Sequence, residues 1–381
     1  MRLRDLHPDE ARTVATLLDE GLDLSPERRL AWLEELSRRA PSLGVLIAQL
    51  LAGAPDGGAH PLGSIPRETE RVVGALSSAL EAGVSLQGRD FGPYRVVRLL
   101  GRGGMGSVWL AQRADGLFER EVALKLPHAS LAGGALSERF ARERSILAAL
   151  THPLIARLLD AGVARDGQPY LAIEYVEGKS LTEYCDEHRL TLAARIGLIM
   201  QVLAAVQHAH RNLVIHRDLK PSNILVTREG QVRLLDFGIA KLVTGSEVLE
   251  TELTQRGGRA LTLEYASPEQ IGGLPITTSS DVYSLGVLLY TLLCGHRPYQ
   301  LGRDSRAALE EAILSGQALR PSQQTPTSAI ADARATTPKG LVRALAGDLD
   351  TIVLKAIKKH PAERYATADA LMQDLQRYLS G

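Results

Sequence analysis

Residues 216–223 read His216-Arg217-Asp218-Leu219-Lys220-Pro221-Ser222-Asn223, and Asp236-Phe237-Gly238 follows downstream. Together they place two carboxylates and a carboxamide at a spacing suited to holding metal-bound phosphates beside a base. Upstream lies a glycine-rich run, Gly101-Arg102-Gly103-Gly104-Met105-Gly106-Ser107-Val108. Glycines let backbone amides approach phosphate oxygens with no Cβ in the way. Dinucleotide-binding folds use the same spacing, and Glu121 stands about where such a fold places its ribose-binding acid. There, however, the loop opens a helix, whereas Val108-Trp109-Leu110 continues as a strand. The pattern favours a strand–loop–strand clamp. In the next strand, Val122-Ala123-Leu124-Lys125 ends on a lysine; taken alone, it reads as a surface lysine on a half-exposed strand.

The chain of 381 residues has the length of about two domains, or of one large two-lobed unit with an extension. Its 44 basic and 44 acidic residues balance, so no bulk attraction to nucleic acid or anionic lipid is expected. Two cysteines, Cys185 and Cys294, exclude a disulfide scaffold and fit a reducing compartment, each as a small buried residue. No apolar signal core follows the basic residues at the N-terminus. The most apolar stretch, 282–294, is shorter than a membrane span and reads as a buried helix.

Along the chain, Leu17, Leu18, Leu22, Leu30, Leu33 and Leu36 recur at helical spacing, with Ser25-Pro26 and Pro41 as helix starts. Residues 53–66 turn to Gly, Pro, Ala and Asp, a linker composition, before a short helical stretch at 71–82. Strands are expected at 94–100, 107–112 and 121–125, then a helix over 137–150, then strands at 157–163 and 170–174. Helices dominate from Leu181 onward. Residues 303–345, rich in Ala, Ser, Thr, Gln and Pro, read either as a surface loop or as a site for a protein partner.

The run at 216–223 resembles the catalytic loop of eukaryotic-type protein kinases, and the resemblance extends from about Phe91 to Leu379. Ser267-Pro268-Glu269 is similar to the Ala-Pro-Glu end of an activation segment, with serine for alanine. Asp281 matches a helix-start aspartate that steadies the catalytic loop, and Arg364 an arginine that pairs with the glutamate, here Glu269. Lys220, two residues past Asp218, is the pattern of kinases acting on serine or threonine. Glu264-Tyr265-Ala266-Ser267-Pro268-Glu269-Gln270 and Gly347-Asp348-Leu349-Asp350 resemble the bacterial members in particular.

The resemblance implies an α+β, two-lobed kinase fold: a helical extension at 1–52, a linker with a short helix at 53–90, and a kinase domain at 91–381. Its small β-rich lobe covers about 91–176 and its large helical lobe about 177–381. It implies ATP and Mg2+ (or Mn2+) as cofactors. ATP falls to Gly101, Gly103, Gly104, Gly106, Val108, Ala123, Lys125, Ile173, Glu174 and Val176, the metal to Asn223 and Asp236. Asp218 takes or orients the proton of the attacking hydroxyl, with Lys220 beside it. Lys125 holds the phosphates, its ion-pair partner being Glu143, with Glu138 as the alternative. Arg217 binds a phosphate on the activation segment, for which Thr251 and Thr254 are the candidates and Thr262 a poorer one.

The implied activity is transfer of the ATP γ-phosphate to Ser or Thr of protein substrates, with autophosphorylation. The partners are protein substrates and a possible second copy of the chain; no nucleic acid and no direct membrane contact are expected. The location is cytoplasmic, alone or as the cytoplasmic part of a longer membrane-anchored protein. Two other readings remain: a nucleotide-binding pseudokinase signalling through the N-terminal helices, and a small-molecule phosphotransferase on the same fold. His208, His210 and His216 lie close enough in sequence to suggest a zinc site, but the first two stand two apart on a helix and share no face.

Overall fold

The computed structural model describes Trp32, Leu36 and residues 86–103, 106–115, 120–127, 150–164, 167–236, 263–299 and 305–381. Trp32 and Leu36 are helical. The other helical positions expected in 1–82, the helix at 137–149, and Gly104, Glu138, Glu143, Thr251, Thr254 and Thr262 lie outside the described residues.

Six strands form an antiparallel sheet: β1 (Asp90–Phe91), β2 (Tyr94–Gly103), β3 (Gly106–Arg113), β4 (Glu121–Pro127), β5 (Leu158–Val163) and β6 (Pro169–Glu174). Their order is β1-β2-β3-β4-β6-β5. Side chains alternate faces along a strand. In β4, Val122, Leu124 and Leu126 are buried on one face, which leaves Ala123 and Lys125 together on the other. A one-residue slip would exchange the two sets, so this burial fixes where Lys125 points.

A second, three-stranded sheet, β7 (Lys179–Ser180), β8 (Ile224–Val226) and β9 (Val232–Leu234), opens the helical part. Around it come α1 (Leu181–Glu187), α2 (Leu192–Arg211), α3 (Pro268–Ile271), α4 (Thr278–Cys294), α5 (Arg306–Leu314), α6 (Ser328–Asp332), α7 (Pro338–Leu345), α8 (Asp348–Ala356) and α9 (Ala368–Ser380). Among the described helices α2 alone has the length and apolar composition to cross a membrane. Its Ile196, Ile199, Val202, Leu203 and Val206 are fully buried in the core instead.

α4 is the axis of this core. It is buried from Ser280 to Cys294 apart from Thr291, as the apolar run at 282–294 predicts. At Gly286 a Cβ would come within 2.7 Å of both Ala356 and Ile357, so the glycine lets α8 pack close. Two buried arginines hold the C-terminal end of α4. Arg195 donates to Leu292 O (3.2 Å), and Arg334 to Leu292 O and Thr291 O (3.0 and 3.3 Å). Carbonyls at a helix C-terminus favour cations. Burial, and then neighbouring Arg195, pushes Arg334 down to about 10.

Gly295 ends α4 in the left-handed conformation, φ 76°. A Cβ there would lie 2.7 Å from Ile330 and 3.2 Å from the Arg334 guanidinium. Gly295→Ala should therefore destabilise the fold by about 1–3 kcal/mol, seen as a lower urea midpoint at unchanged slope.

The structure corrects the surface-loop reading of 303–345. Most of 306–345 is helical, in α5, α6 and α7, with Ile313, Ala331, Leu341 and Leu345 in the core. The Ser, Thr and Pro residues that gave it a loop-like composition are helix punctuation. Ser305, Thr327 and Thr337 cap the three helices, and Pro338 takes the first position of α7.

Candidate active site

β2 and β3 run directly into the glycine-rich turn, with Gly103 opposite Gly106 and Gly101 opposite Val108. The strand–loop–strand reading holds, and the helix of a dinucleotide site is not there. Gly106 has φ 141°, and a Cβ on it would meet Leu126 O at 2.1 Å. Backbone packing alone demands glycine at that position. Gly101 differs: a Cβ there would meet nothing within 4 Å.

Lys125 lies on β4 opposite Val108, with Leu171 of β6 on its other side. Its side chain is 11% exposed, and Nζ pairs with Asp236 Oδ2 at 3.0 Å. Ile173, 8% exposed, sits opposite Ala123. Glu174 closes β6, its amide donating to Arg157 O (2.8 Å) and its carboxylate accepting from Arg157 N (3.2 Å). Val176 follows, half-buried.

The catalytic-loop segment is built into the core rather than laid over it. Asp281, 1% exposed near the start of α4, accepts from His216 N (2.8 Å) and Arg217 N (2.9 Å). A third donor, His210 Nε2 on α2, reaches the same carboxylate at 2.7 Å. His216 is fully buried. Burial pulls its pKa down against the opposing pull of Asp281. It donates from Nε2 to Leu235 O (2.9 Å) and accepts at Nδ1 from Asp218 N (3.3 Å).

From this frame the polar groups converge. Asn223 Nδ2 donates to Asp218 O (2.8 Å) and Oδ2 (3.0 Å), and Lys220 Nζ pairs with Asp218 Oδ2 at 2.8 Å. The β8–β9 hairpin pairs Ile224 with Leu234, and Leu235 N donates to Asn223 O at 2.8 Å. That bond ties the residue before Asp236 to Asn223. Arg217 and Asp236 both hold left-handed backbone, φ 66° and 46°. Such strain in non-glycine residues persists only where the surroundings enforce it, and it clusters at working sites.

Glu269 and Arg364 form a buried bidentate pair, 2.7 and 2.8 Å, and Ser280 Oγ donates to the same carboxylate at 2.7 Å. Burial pushes the Glu269 carboxyl up, but the Arg364 and Ser280 bonds outweigh it and hold the group below its usual range. Two further residues belong to the site's support and were not singled out for that role by sequence reasoning. His210, weighed only as a metal ligand, orients Asp281; its neighbour His208 stacks on His152 at 4.8 Å. Gln270 donates to Arg217 O at 2.8 Å. Neither bond is visible in sequence, because the partners stand far apart along the chain.

A β-sheet lobe bearing a glycine clamp and a lysine, above a helical lobe bearing Asp218, Asn223 and Asp236, is the arrangement of a phosphotransferase of the kinase type. Residues 94–375 match the family model for the protein kinase domain, and the chain belongs to that family. It is 33% identical over 290 residues to the serine/threonine-protein kinase PrkC of Bacillus subtilis, covering 76% of this chain and 41% of that protein. To PknB of Mycobacterium tuberculosis it is 35% identical over 293 residues, covering 76% and 43%. The chain thus spans about two fifths of the length of these curated relatives. The crystal structure of the PknI kinase domain from M. tuberculosis superposes with a TM-score of 0.52 at 26% identity, covering 77% of this chain and 99% of that one. Membership of the protein kinase family implies use of ATP.

Proposed function

We propose that this chain is an ATP- and divalent-metal-dependent protein serine/threonine kinase. One observation carries the reading: Lys125 pairs with Asp236, Asn223 and Lys220 both reach Asp218, and the Leu235 N to Asn223 O bond ties the two segments together. Asp218 positions the acceptor hydroxyl and takes its proton, and Lys220 beside it neutralises charge. Lys125 binds the phosphates under a clamp formed by Gly101, Gly103, Gly104, Gly106 and Val108. The space above Gly101 fits such a clamp, since a Cβ there would meet no atom of the described residues within 4 Å. Ala123 and Ile173 border the adenine, whose edge bonds to the backbone of Glu174 and Val176.

Asn223 and Asp236 offer oxygen donors, the chemistry preferred by Mg2+ or Mn2+. The cation neutralises the transferring phosphoryl group when bound. The Asn223 amide nitrogen is already engaged by Asp218, which turns the carboxamide oxygen away from that bond and fits it as a ligand. Autophosphorylation at Thr251 or Thr254 completes the proposal. Arg217 supports it: its Nε is buried and has no hydrogen-bond partner among the described residues, as a group awaiting a phosphate would be. Two buried, unpaired thiols, Cys185 and Cys294, suit the cytoplasm.

The test is intact mass before and after incubation with ATP and Mg2+, beside Lys125→Met. Phosphate additions on the wild type alone, absent with EDTA and mapping to Thr251 or Thr254, are expected. Wild type and variant both unmodified, with a generic basic protein also left unphosphorylated, would reduce the chain to a nucleotide-binding scaffold. Additions confined to other residues would remove the activation-segment assignment alone.

A further inference from the structure

Serine stands where the family pattern has alanine at the end of the activation segment, and the proposed chemistry does not use the difference. In the structure Ser267, fully buried, caps the short helix α3. Its Oγ accepts from Gln270 N (3.4 Å), while Gln270 Oε1 accepts from Ser267 N (3.0 Å) and from Ser267 Oγ (3.2 Å). This reciprocal box uses only the oxygen end of the Gln270 amide. The nitrogen end donates to Arg217 O at 2.8 Å. Donors at one end and a carbonyl at the other leave a single orientation for the amide.

Arg217 is the residue immediately before Asp218 and carries one of the strained backbone conformations of the site, φ 66°. Its N–H is held by Asp281 Oδ1 at 2.9 Å. Its C=O belongs to the peptide bond leading into Asp218, and Gln270 grips that carbonyl. The two bonds fix both sides of a residue that would otherwise relax out of the left-handed region.

The geometry points to Gln270 as a positioning residue for phosphoryl transfer, clamping the Arg217–Asp218 peptide to the end of the activation segment. The role rests on the kinase reading above. It makes the orientation of Asp218 depend on the seating of Ser267-Pro268-Glu269. Sequence alone hints at it only as the Ser267 and Gln270 pair, spaced three apart.

Gln270→Glu separates the clamp from the cap. A glutamate keeps both bonds from Ser267, as in an ordinary capping box, but offers Arg217 O no donor. Ser267→Ala does the reverse, removing the hydroxyl while Ser267 N–H still orients Gln270. For Gln270→Glu, kcat should fall about tenfold, the worth of one hydrogen bond in a strained backbone. KM for ATP should hold and the melting temperature should fall only by the few degrees one hydrogen bond is worth, while Ser267→Ala should lose similar stability yet keep wild-type kcat.

Amide hydrogen exchange supplies a readout that needs no activity: exchange at Arg217 and Asp218 should rise about tenfold in Gln270→Glu only. Wild-type kcat together with wild-type exchange in Gln270→Glu would overturn the clamp. Equal losses of kcat in the two variants would also overturn it, by assigning the effect to the cap. An inactive wild type with faster exchange in Gln270→Glu would uphold the clamp and sink the kinase reading instead.

Discussion

Replacing Asp218 by Asn will lower kcat for phosphoryl transfer by about 10²–10⁴-fold, with the melting temperature within about 2 °C of wild type. The two outcomes separate because of where the side chain sits. Its carboxylate is 29% exposed and bonded to Lys220 and Asn223, so the isosteric amide keeps its shape and one oxygen for those donors. What it loses is the capacity to accept a proton. The KM for ATP should change little, because the proposed role of Asp218 is toward the hydroxyl and not the nucleotide. Steady-state rates against a protein or peptide acceptor measure all three quantities. A variant retaining more than a tenth of the wild-type kcat would take the proton-accepting role from Asp218.

Arg364→Ala will unfold the protein at a temperature roughly 10 °C lower, from a loss of about 3–5 kcal/mol. The guanidinium is completely buried, and each of its nitrogens is engaged. Nε donates to Lys358 O, Nη1 to Glu269 and Ser279 O, and Nη2 to Glu269 and Lys359 O. Alanine leaves the Glu269 carboxylate, 4% exposed, with only Ser280 for a partner among these groups. The lost stability is the cost of that orphaned charge more than the value of the pair.

The sign of the pH dependence follows from the lowered Glu269 pKa. A carboxyl held below its usual value near 4.5 contributes stability fully above that value and loses it as pH falls through the folded-state pKa. The gap between wild type and Glu269→Gln should therefore narrow below about pH 4.5. Thermal melts at neutral and acid pH check both statements, and a gap that widened on acidification would contradict the second.

The parts of the fold that sequence revealed are those governed by local periodicity. The alternation in 121–125 predicted β4, and the strand continuing past Gly106 decided the nature of the glycine turn; the side on which Lys125 stands comes from the structure. The apolar run at 282–294 predicted a buried helix, and α4 is one. Composition misled at 303–345, where capping residues looked like a loop because they mark helix starts and not helix bodies. β1 and β7 are two residues each, below the length at which alternation can be read.

For the site, Asp218, Asn223, Asp236 and Lys125 stand out by motif; the structure pairs Lys125 with Asp236 and Asn223 with Asp218. Asp281 and Arg364 stand out only through the family pattern; in the structure Asp281 accepts from the His216 and Arg217 amides, and Arg364 pairs with Glu269. Gln270 and His210 were not legible as supports. Their roles depend on hydrogen bonds to residues 53 and 71 positions away, set by how α3 and α4 pack and not by anything near them in sequence.

The burial of α4 has a consequence for how such a chain ages under mutation. Asp281 serves the core and the catalytic loop at once, since removing it strands two buried amides and a histidine. Under the proposed function, Asp218 and Lys125 answer mainly to chemistry. A descendant released from the need to transfer phosphate would lose those two first and keep Asp281 for the sake of folding. Among sequences of this architecture, Asp281 therefore certifies only that the lobe folds. The joint presence of Lys125 and Asp218, whose partners are Asp236, Lys220 and Asn223, is what the proposed phosphoryl transfer would preserve.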